Sequence, residues 1–174
     1  MKRLFIALTA AAIALSVTVA CEHPHPNNDS NDTTDTTDAL VNDINTESNE
    51  WIFDYKNVGP LASKIWDAYI DTREMDIWQI YLSPVTNIEF EEIFDYTPVR
   101  ITIPVDFPLD GARFRLATDP SIMIEYGSCL WDAANAPNGF VSADYDDRSG
   151  NIRIIFHTTD KLKGHYNGPL TIIE

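Results

Sequence analysis

The chain has 174 residues and a formal net charge of −15, from 27 acidic residues against 12 lysines and arginines. Such an acidic chain lacks the basic surface that nucleic-acid binding needs, and it disfavours electrostatic attraction to anionic lipid headgroups. Aromatic residues make up 11% of the sequence and include four tryptophans, which supply large side chains for a core or for a ligand.

The N-terminus has the features of a secretory signal peptide. Lys2 and Arg3 form a basic start, and residues 4–20 are apolar or small and carry no charge. This segment is short for a membrane span and has the wrong flanks for one. The expected domain organisation therefore begins with a signal peptide at 1–20.

The segment that ends in Ala20-Cys21 resembles the cleavage site of bacterial lipoproteins, in which a small residue precedes a cysteine after an apolar run. The resemblance implies that Cys21 becomes the new N-terminus and is acylated with diacylglyceryl and palmitate groups. The lipid bilayer would then be a partner through Cys21, and the expected location is the bacterial cell envelope, at the outer membrane. The alternative is an ordinary secretory signal cleaved after Ala20, which gives a soluble periplasmic protein.

The next segment is strongly acidic. Residues 22–50 contain eight acidic residues, no lysine or arginine, and almost no large apolar residue before Leu40. Such a composition cannot bury enough surface to offset its ordering entropy. We therefore expect a disordered tether at 21–50, followed by one domain at 51–174. Loss of Lys2 and Arg3 lowers the formal charge to −17, of which the tether carries −8 and the domain −9.

The domain has the alternation of half-buried strands. Apolar and polar residues alternate over 99–105 and 152–156, and turn-forming residues stand at 108–111, 146–150 and 158–160. Further strands are expected at 51–55, 62–70, 77–83, 113–117, 121–126, 139–145 and 162–173. Short strands separated by frequent turns predict an all-β fold, either a single antiparallel meander barrel or a β-sandwich.

A family resemblance supports this fold. A Trp-bearing first strand at Trp51 and the closing segment from Ile152 to Leu170 resemble the small lipocalin-like, calycin-type lipoproteins of anaerobic gut bacteria. The sharpest part is Gly164-x-Tyr166-x-Gly168, which is expected to be structural. The Gly-x-Trp start of true lipocalins is missing at Trp51. The resemblance therefore implies a barrel or sandwich more than a ligand pocket.

Two blocks of aromatic residues provide candidate ligand contacts. Residues 65–70 and 77–82 are expected to pair as a hairpin in preference to forming a helix, and both faces of that hairpin are apolar. Such a strand pair is either covered on both sides or offers one face to a ligand. With one further tryptophan, the candidate side chains for a sugar ring or a small apolar molecule are Trp66, Tyr69, Trp78, Tyr81 and Trp131.

The last hairpin predicts a basic strip. A three-residue loop at 158–160 would place Phe156 opposite Leu162 and keep both on the core face. The opposite, outward face would then carry five basic side chains: Arg153, His157, Lys161, Lys163 and His165. Such a face is either simply solvated or a docking strip for an anionic group, such as a carboxylated or phosphorylated glycan.

The chain has one other cysteine, Cys129. If Cys21 is acylated, the sequence predicts that Cys129 is a small buried hydrophobic residue and that the fold has no internal disulfide.

Motifs for chemistry are absent from the sequence. It contains no nucleophile elbow, phosphate-binding loop, dinucleotide fingerprint or zinc spacing. No catalytic residue, metal site or cofactor is therefore assigned, and an enzyme is not favoured. The expected function is a membrane-anchored, non-catalytic binding or accessory lipoprotein for a glycan or a small apolar ligand. The alternatives are an inhibitor or adaptor for a cationic protein, and a hydrolase on a β scaffold.

Overall fold

The structure, a computed structural model, describes residues 44–55, 59–159 and 161–174. The predicted signal peptide, Cys21 and most of the predicted tether lie outside the described residues. Within the described part of the chain, no helix is long and apolar enough to cross a lipid bilayer.

The described residues form eleven strands and two short 3-10 helices. The strands are β1 (Glu50–Tyr55), β2 (Gly59–Lys64), β3 (Asp67–Asp71), β4 (Ile77–Ser83), β5 (Val99–Pro104), β6 (Asp110–Arg115), β7 (Met123–Tyr126), β8 (Cys129–Trp131), β9 (Phe140–Asp146), β10 (Asn151–His157) and β11 (Leu162–Ile173). The 3-10 helices are Phe90–Tyr96 and Leu116–Thr118.

The strands form one curled sheet with the shape of a half-barrel. Its order is β6-β9-β10-β11-β3-β4-β5-β7-β8, and β1 pairs with both β11 and β2. The described pairings are antiparallel except for β11 with β3, which is parallel. The predicted all-β fold is confirmed, and the two meanders β3-β4-β5 and β9-β10-β11 meet at the parallel pair.

One continuous core fills the inside of the curl. Trp51, Ile101 and Ile154 come from strands in different parts of the sheet and are at most 2% exposed. Side chains from the connecting segments join them, including Leu116 and Ile122 at no more than 1% exposed. Each fully buried side chain of this size contributes roughly 1.5–3 kcal/mol to the free energy of folding. The interior of the half-barrel is therefore packed with side chains.

The predicted hairpin of aromatic strands is confirmed. β3 and β4 pair with Tyr69 opposite Tyr81 and Ala68 opposite Leu82. Ala68 and Leu82 face the main core, whereas Tyr69 and Tyr81 are covered by the first 3-10 helix through Phe90. The strand expected at 62–70 is divided into β2 and β3, because the chain bends at residues 65–66.

The predicted register of the last hairpin is wrong by two residues. His157 pairs with Lys163, and Phe156 lies opposite Gly164 in place of Leu162. The longer loop is closed by Thr158, whose backbone N–H donates to the Leu162 carbonyl at 2.8 Å and whose hydroxyl accepts the Leu162 N–H at 2.9 Å. Because a shift of two preserves the side-chain faces, Phe156 and Leu162 are both buried, as expected.

The domain begins earlier than the predicted boundary at residue 51. Ile44 is 8% exposed and packs against Phe140 and Ile155 on the outer side of the sheet. Residue 50 already belongs to β1. The last residues of the predicted tether, 44–50, therefore pack on the domain.

Candidate functional site

An exposed tryptophan stands at the bend between β2 and β3. Ile65 turns inward and is 3% exposed, whereas the next residue, Trp66, turns outward and is 52% exposed. The Ile65 N–H donates to the Asn49 carbonyl and the Trp66 N–H donates to the Ser83 carbonyl, both at 2.9 Å. Two hydrogen bonds therefore hold the backbone at Ile65 and Trp66, where the exposed indole is attached.

Asn49 joins this bend to β11. Its side-chain carbonyl accepts the Asn167 N–H at 2.8 Å, and its side-chain N–H donates to the Asn167 carbonyl at 3.1 Å. Its backbone carbonyl holds Ile65. Sequence reasoning did not find Asn49, because it assigned this residue to the tether.

Trp66 lines a cleft of about 490 Å³ whose other walls are mainly polar. The walls come from the segment before β1, from the end of β2 and from β11. Glu50 lies between two cross-strand neighbours, with Lys64 on β2 and His165 on β11 directly opposite it. Directly opposed residues point to the same side of a sheet. The cleft lining is Thr46, Glu47, Ser48, Asn49, Glu50, Lys64, Ile65, Trp66, His165 and Asn167.

The environment of the histidine in this cleft favours its neutral form. His165 is 3% exposed, and burial lowers its pKa from the ordinary value. The positive charge of Arg153 lowers that pKa further, whereas the hydrogen bond between the His165 ring and the Ser48 backbone carbonyl raises it. Nδ1 of His165 lies 3.1 Å from the Ser48 carbonyl oxygen, which can only accept, so Nδ1 carries the proton.

The cleft combines an aromatic ring with hydrogen-bonding groups of several kinds. The Lys64 ammonium lies over the Trp66 ring at 5.4 Å from its centroid, a cation–π contact. Glu50 adds a carboxylate and Asn49 an amide. A flat apolar ring beside donors and acceptors matches a molecule that has one apolar face and many hydroxyl groups.

A second cleft lies between β1, β2 and the loop that joins β10 to β11. Its volume is about 360 Å³. Lys161 and Lys163 bring two cations to it, and Asp54 brings one carboxylate. The remaining lining is Ile52, Pro60, His157, Thr159 and Leu162.

The loop beside this second cleft holds an unusual backbone conformation. Thr159 has a φ of 76°, in the left-handed region that a β-branched residue rarely adopts. Its N–H donates to Nδ1 of His157 at 2.7 Å. Nδ1 of His157 is therefore an acceptor, and the neutral ring carries its proton on Nε2.

A third cleft, of about 250 Å³, contains a matched ion pair. Arg100 and Glu125 are opposite each other on β5 and β7, and two hydrogen bonds of 2.6 and 2.5 Å join them. Glu125 raises the pKa of Arg100, principally by accepting these bonds. The pair neutralises its own charge, so this cleft offers less to a ligand than the other two.

The five candidate aromatic residues are not brought together. Tyr69, Tyr81 and Trp131 are 7%, 4% and 2% exposed, so for them the structure shows the core alternative. Trp78 is half-buried and packs against the main core. Trp66 is the member of the set that both faces solvent and lines a cleft.

The five residues of the predicted basic strip lie on the side of the sheet opposite the core, but they do not form one exposed strip. His157 and His165 are 4% and 3% exposed, because residues 44–50 and the loop after β10 cover this part of the sheet. Arg153 is exposed, and Lys161 and Lys163 are half-buried. His165 belongs to the first cleft, and the two lysines line the second.

Cys129 is 2% exposed, as expected for a small buried residue. Cys129 forms a disulfide in this structure, whereas the expectation of a fold without a disulfide concerns a chain whose Cys21 is acylated, so that expectation stays a prediction. The other cysteine of the chain, Cys21, lies outside the described residues.

Among the described residues, no group of three or more His, Cys, Asp or Glu side chains is placed to hold a metal ion. Comparison of the chain with protein-family models, with curated proteins and with solved structures finds no match.

Proposed function

We propose that this chain is a membrane-anchored, non-catalytic lipoprotein of the bacterial cell envelope that binds a glycan in the cleft beside Trp66. The anchor in this proposal is an acylated Cys21. The resemblance of the closing segment to lipocalin-like lipoproteins is part of the same proposal.

The observation that carries the proposal is the exposure of Trp66. Burying an indole stabilises a folded protein, so an indole that is 52% exposed on a rigid backbone leaves apolar surface available to a partner. A sugar ring has an apolar face that can lie on the indole, and its hydroxyl groups can reach Glu50, Lys64 and Asn49 around the cleft.

The packed interior leads us to place the ligand in a surface cleft and not inside the half-barrel. An apolar ligand would need an apolar cavity, and the inside of the half-barrel is filled by residues such as Leu116, Ile122 and Ile124, each at most 1% exposed. The cleft beside Trp66 is instead lined mainly by polar side chains.

A glycan array tests the proposal. The array should carry linear hexose and hexosamine chains, neutral and carboxylated. We expect the wild-type domain, taken as residues 44–174 so that the whole cleft is present, to bind at least one glycan. Trp66→Ala should weaken that binding by about tenfold or more, because one stacked ring contributes on the order of 1.4 kcal/mol.

The matched control is Phe94→Ala. Phe94 is 51% exposed, close to the exposure of Trp66, but it lines the third cleft. Binding that falls equally in both variants would contradict the assignment of the site to Trp66. A wild-type domain that binds no glycan on the array would overturn the proposed function.

A further inference from the structure

The first two clefts lie on one face of the same three strands. Glu50, Ile52 and Asp54 alternate along β1 and therefore point to one side of the sheet. Trp51 and Phe53, between them, point inward and are 2% and 3% exposed. Glu50 lines the cleft of Trp66, whereas Ile52 and Asp54 line the second cleft, which we call the basic cleft for its lysines Lys161 and Lys163.

The same face continues onto β2 and β11, where the residues directly opposite Glu50 and Ile52 form rows across the three strands. The first row is Lys64, Glu50 and His165, and it belongs to the cleft of Trp66. The next row is Ala62, Ile52 and Lys163, and it contributes Ile52 and Lys163 to the basic cleft. No strand intervenes between the two rows, so the clefts are neighbours on a continuous surface.

A third row completes the surface. Asp54 lies opposite Pro60, and its N–H donates to the Lys161 carbonyl at 2.7 Å. Residues 50 and 54 are four positions apart on one strand, which corresponds to about 13 Å. The β2 side of this face is exposed at Pro60, Ala62 and Lys64.

From this arrangement we infer that the two clefts are subsites of one extended site, and that its ligand is a linear oligosaccharide that reaches from Trp66 to the lysine pair Lys161 and Lys163. This inference rests on the proposed function, since it places one sugar on Trp66. A single sugar ring is shorter than the three rows, so further units would occupy the second cleft and hydrogen-bond to the lysines.

The experiment measures how affinity depends on chain length. The probes are the mono-, di-, tetra- and hexasaccharides of the linkage that the array identifies, titrated into the wild-type domain by calorimetry. We expect the hexasaccharide to bind about tenfold more tightly than the disaccharide. In the double variant Lys161→Ser, Lys163→Ser this advantage should disappear, while affinity for the disaccharide stays at the wild-type value.

The control variant is Arg148→Ser, which removes an exposed cation from the turn between β9 and β10. It should keep the full advantage of the longer chains. Thermal unfolding of each variant shows that the domain is folded, and the wild-type length series needs no variant.

The outcomes separate the two proposals. Equal affinity from the disaccharide upward, with binding still dependent on Trp66, would overturn the extended site and leave the proposed function standing. A length advantage that survives in the double lysine variant would overturn the basic cleft as the second subsite. If the wild-type domain binds no glycan of any length, both proposals are overturned.

Discussion

Close packing around two glycines explains the sequence Gly164-x-Tyr166-x-Gly168. A Cβ atom on Gly164 would lie 2.6 Å from Cζ of Phe156 and 2.9 Å from the Glu50 carbonyl oxygen. A Cβ atom on Gly168 would lie 2.8 Å from the hydroxyl of Tyr166. That hydroxyl donates to the Pro169 carbonyl at 2.8 Å, and burial raises the pKa of Tyr166 to about 12. Both glycines make room for aromatic rings, which gives the segment the structural role expected of it.

We predict that Gly164→Ala destabilises the domain. The added methyl group must displace either the Phe156 ring or the backbone of β1, and overpacking of this kind costs about 1–3 kcal/mol. Urea unfolding followed by tryptophan fluorescence measures the change. Thr171→Ala, at an exposed position of the same strand, is the control and should change the free energy of unfolding by less than about 0.5 kcal/mol. An unfolding midpoint for Gly164→Ala equal to that of the wild type would show that the ring moves aside without cost.

The exposure of each candidate side chain determined whether it could contact a ligand, and exposure is the property that the sequence predicted least well. The alternation of residues correctly placed His157 and His165 on the side of the sheet opposite the core. It could not show that residues 44–50 return over that side, because this contact joins Ser48 to His165, more than a hundred positions away. Trp66 was identified from its type, but its exposure follows from the bend that Asn49 holds.

At the level of elements, alternation and turn chemistry predicted most strands. β11 has the predicted bounds of 162–173, and the turn at 146–150 is closed by Asp146, which accepts the Arg148 N–H at 3.0 Å and the Ser149 hydroxyl at 2.8 Å. The first 3-10 helix was missed. Phe90 and Ile93 face the hairpin from it, and so short a helix has too few turns to give a periodic signal.

The edge between tether and domain gives a prediction for proteolysis. The composition of residues 22–43 predicts cleavage there by a broad-specificity protease, whereas residues 44–50 are held by Ile44, Ser48 and Asn49. We expect limited digestion to leave a stable fragment that begins near residue 44, identified by intact mass. Ile44→Asp should move the first cut toward residue 50. A stable wild-type fragment that begins at residue 51 would contradict the packing of this segment.

At the level of the whole molecule, the proposed acylation of Cys21 determines the state of Cys129 in the mature protein. Acylation uses the sulfur of Cys21, and the chain has no third cysteine.

We predict that the mature protein fractionates with membranes and that Cys21→Ser releases it. In the acylated protein, Cys129 should react with a thiol reagent after denaturation without any reductant. Ser63→Ala, a change in the folded domain, is the control for fractionation. Unchanged membrane association in Cys21→Ser, or labelling of Cys129 that requires prior reduction, would show that Cys21 is not acylated.

The position of β11 in the sheet affects when the chain can fold. β11 pairs with β10, with β1 and with β3, so it joins Leu162 to Phe53 and Leu170 to Ala68 across about a hundred residues. Closing such long loops costs entropy before their contacts form, which makes assembly slow. Until residues 162–173 are available, β1 and β3 lack this shared partner, and the two halves of the sheet cannot join. A chain built in this way cannot close its sheet until residues 162–173 have been synthesised, so the order of synthesis delays the last step of folding.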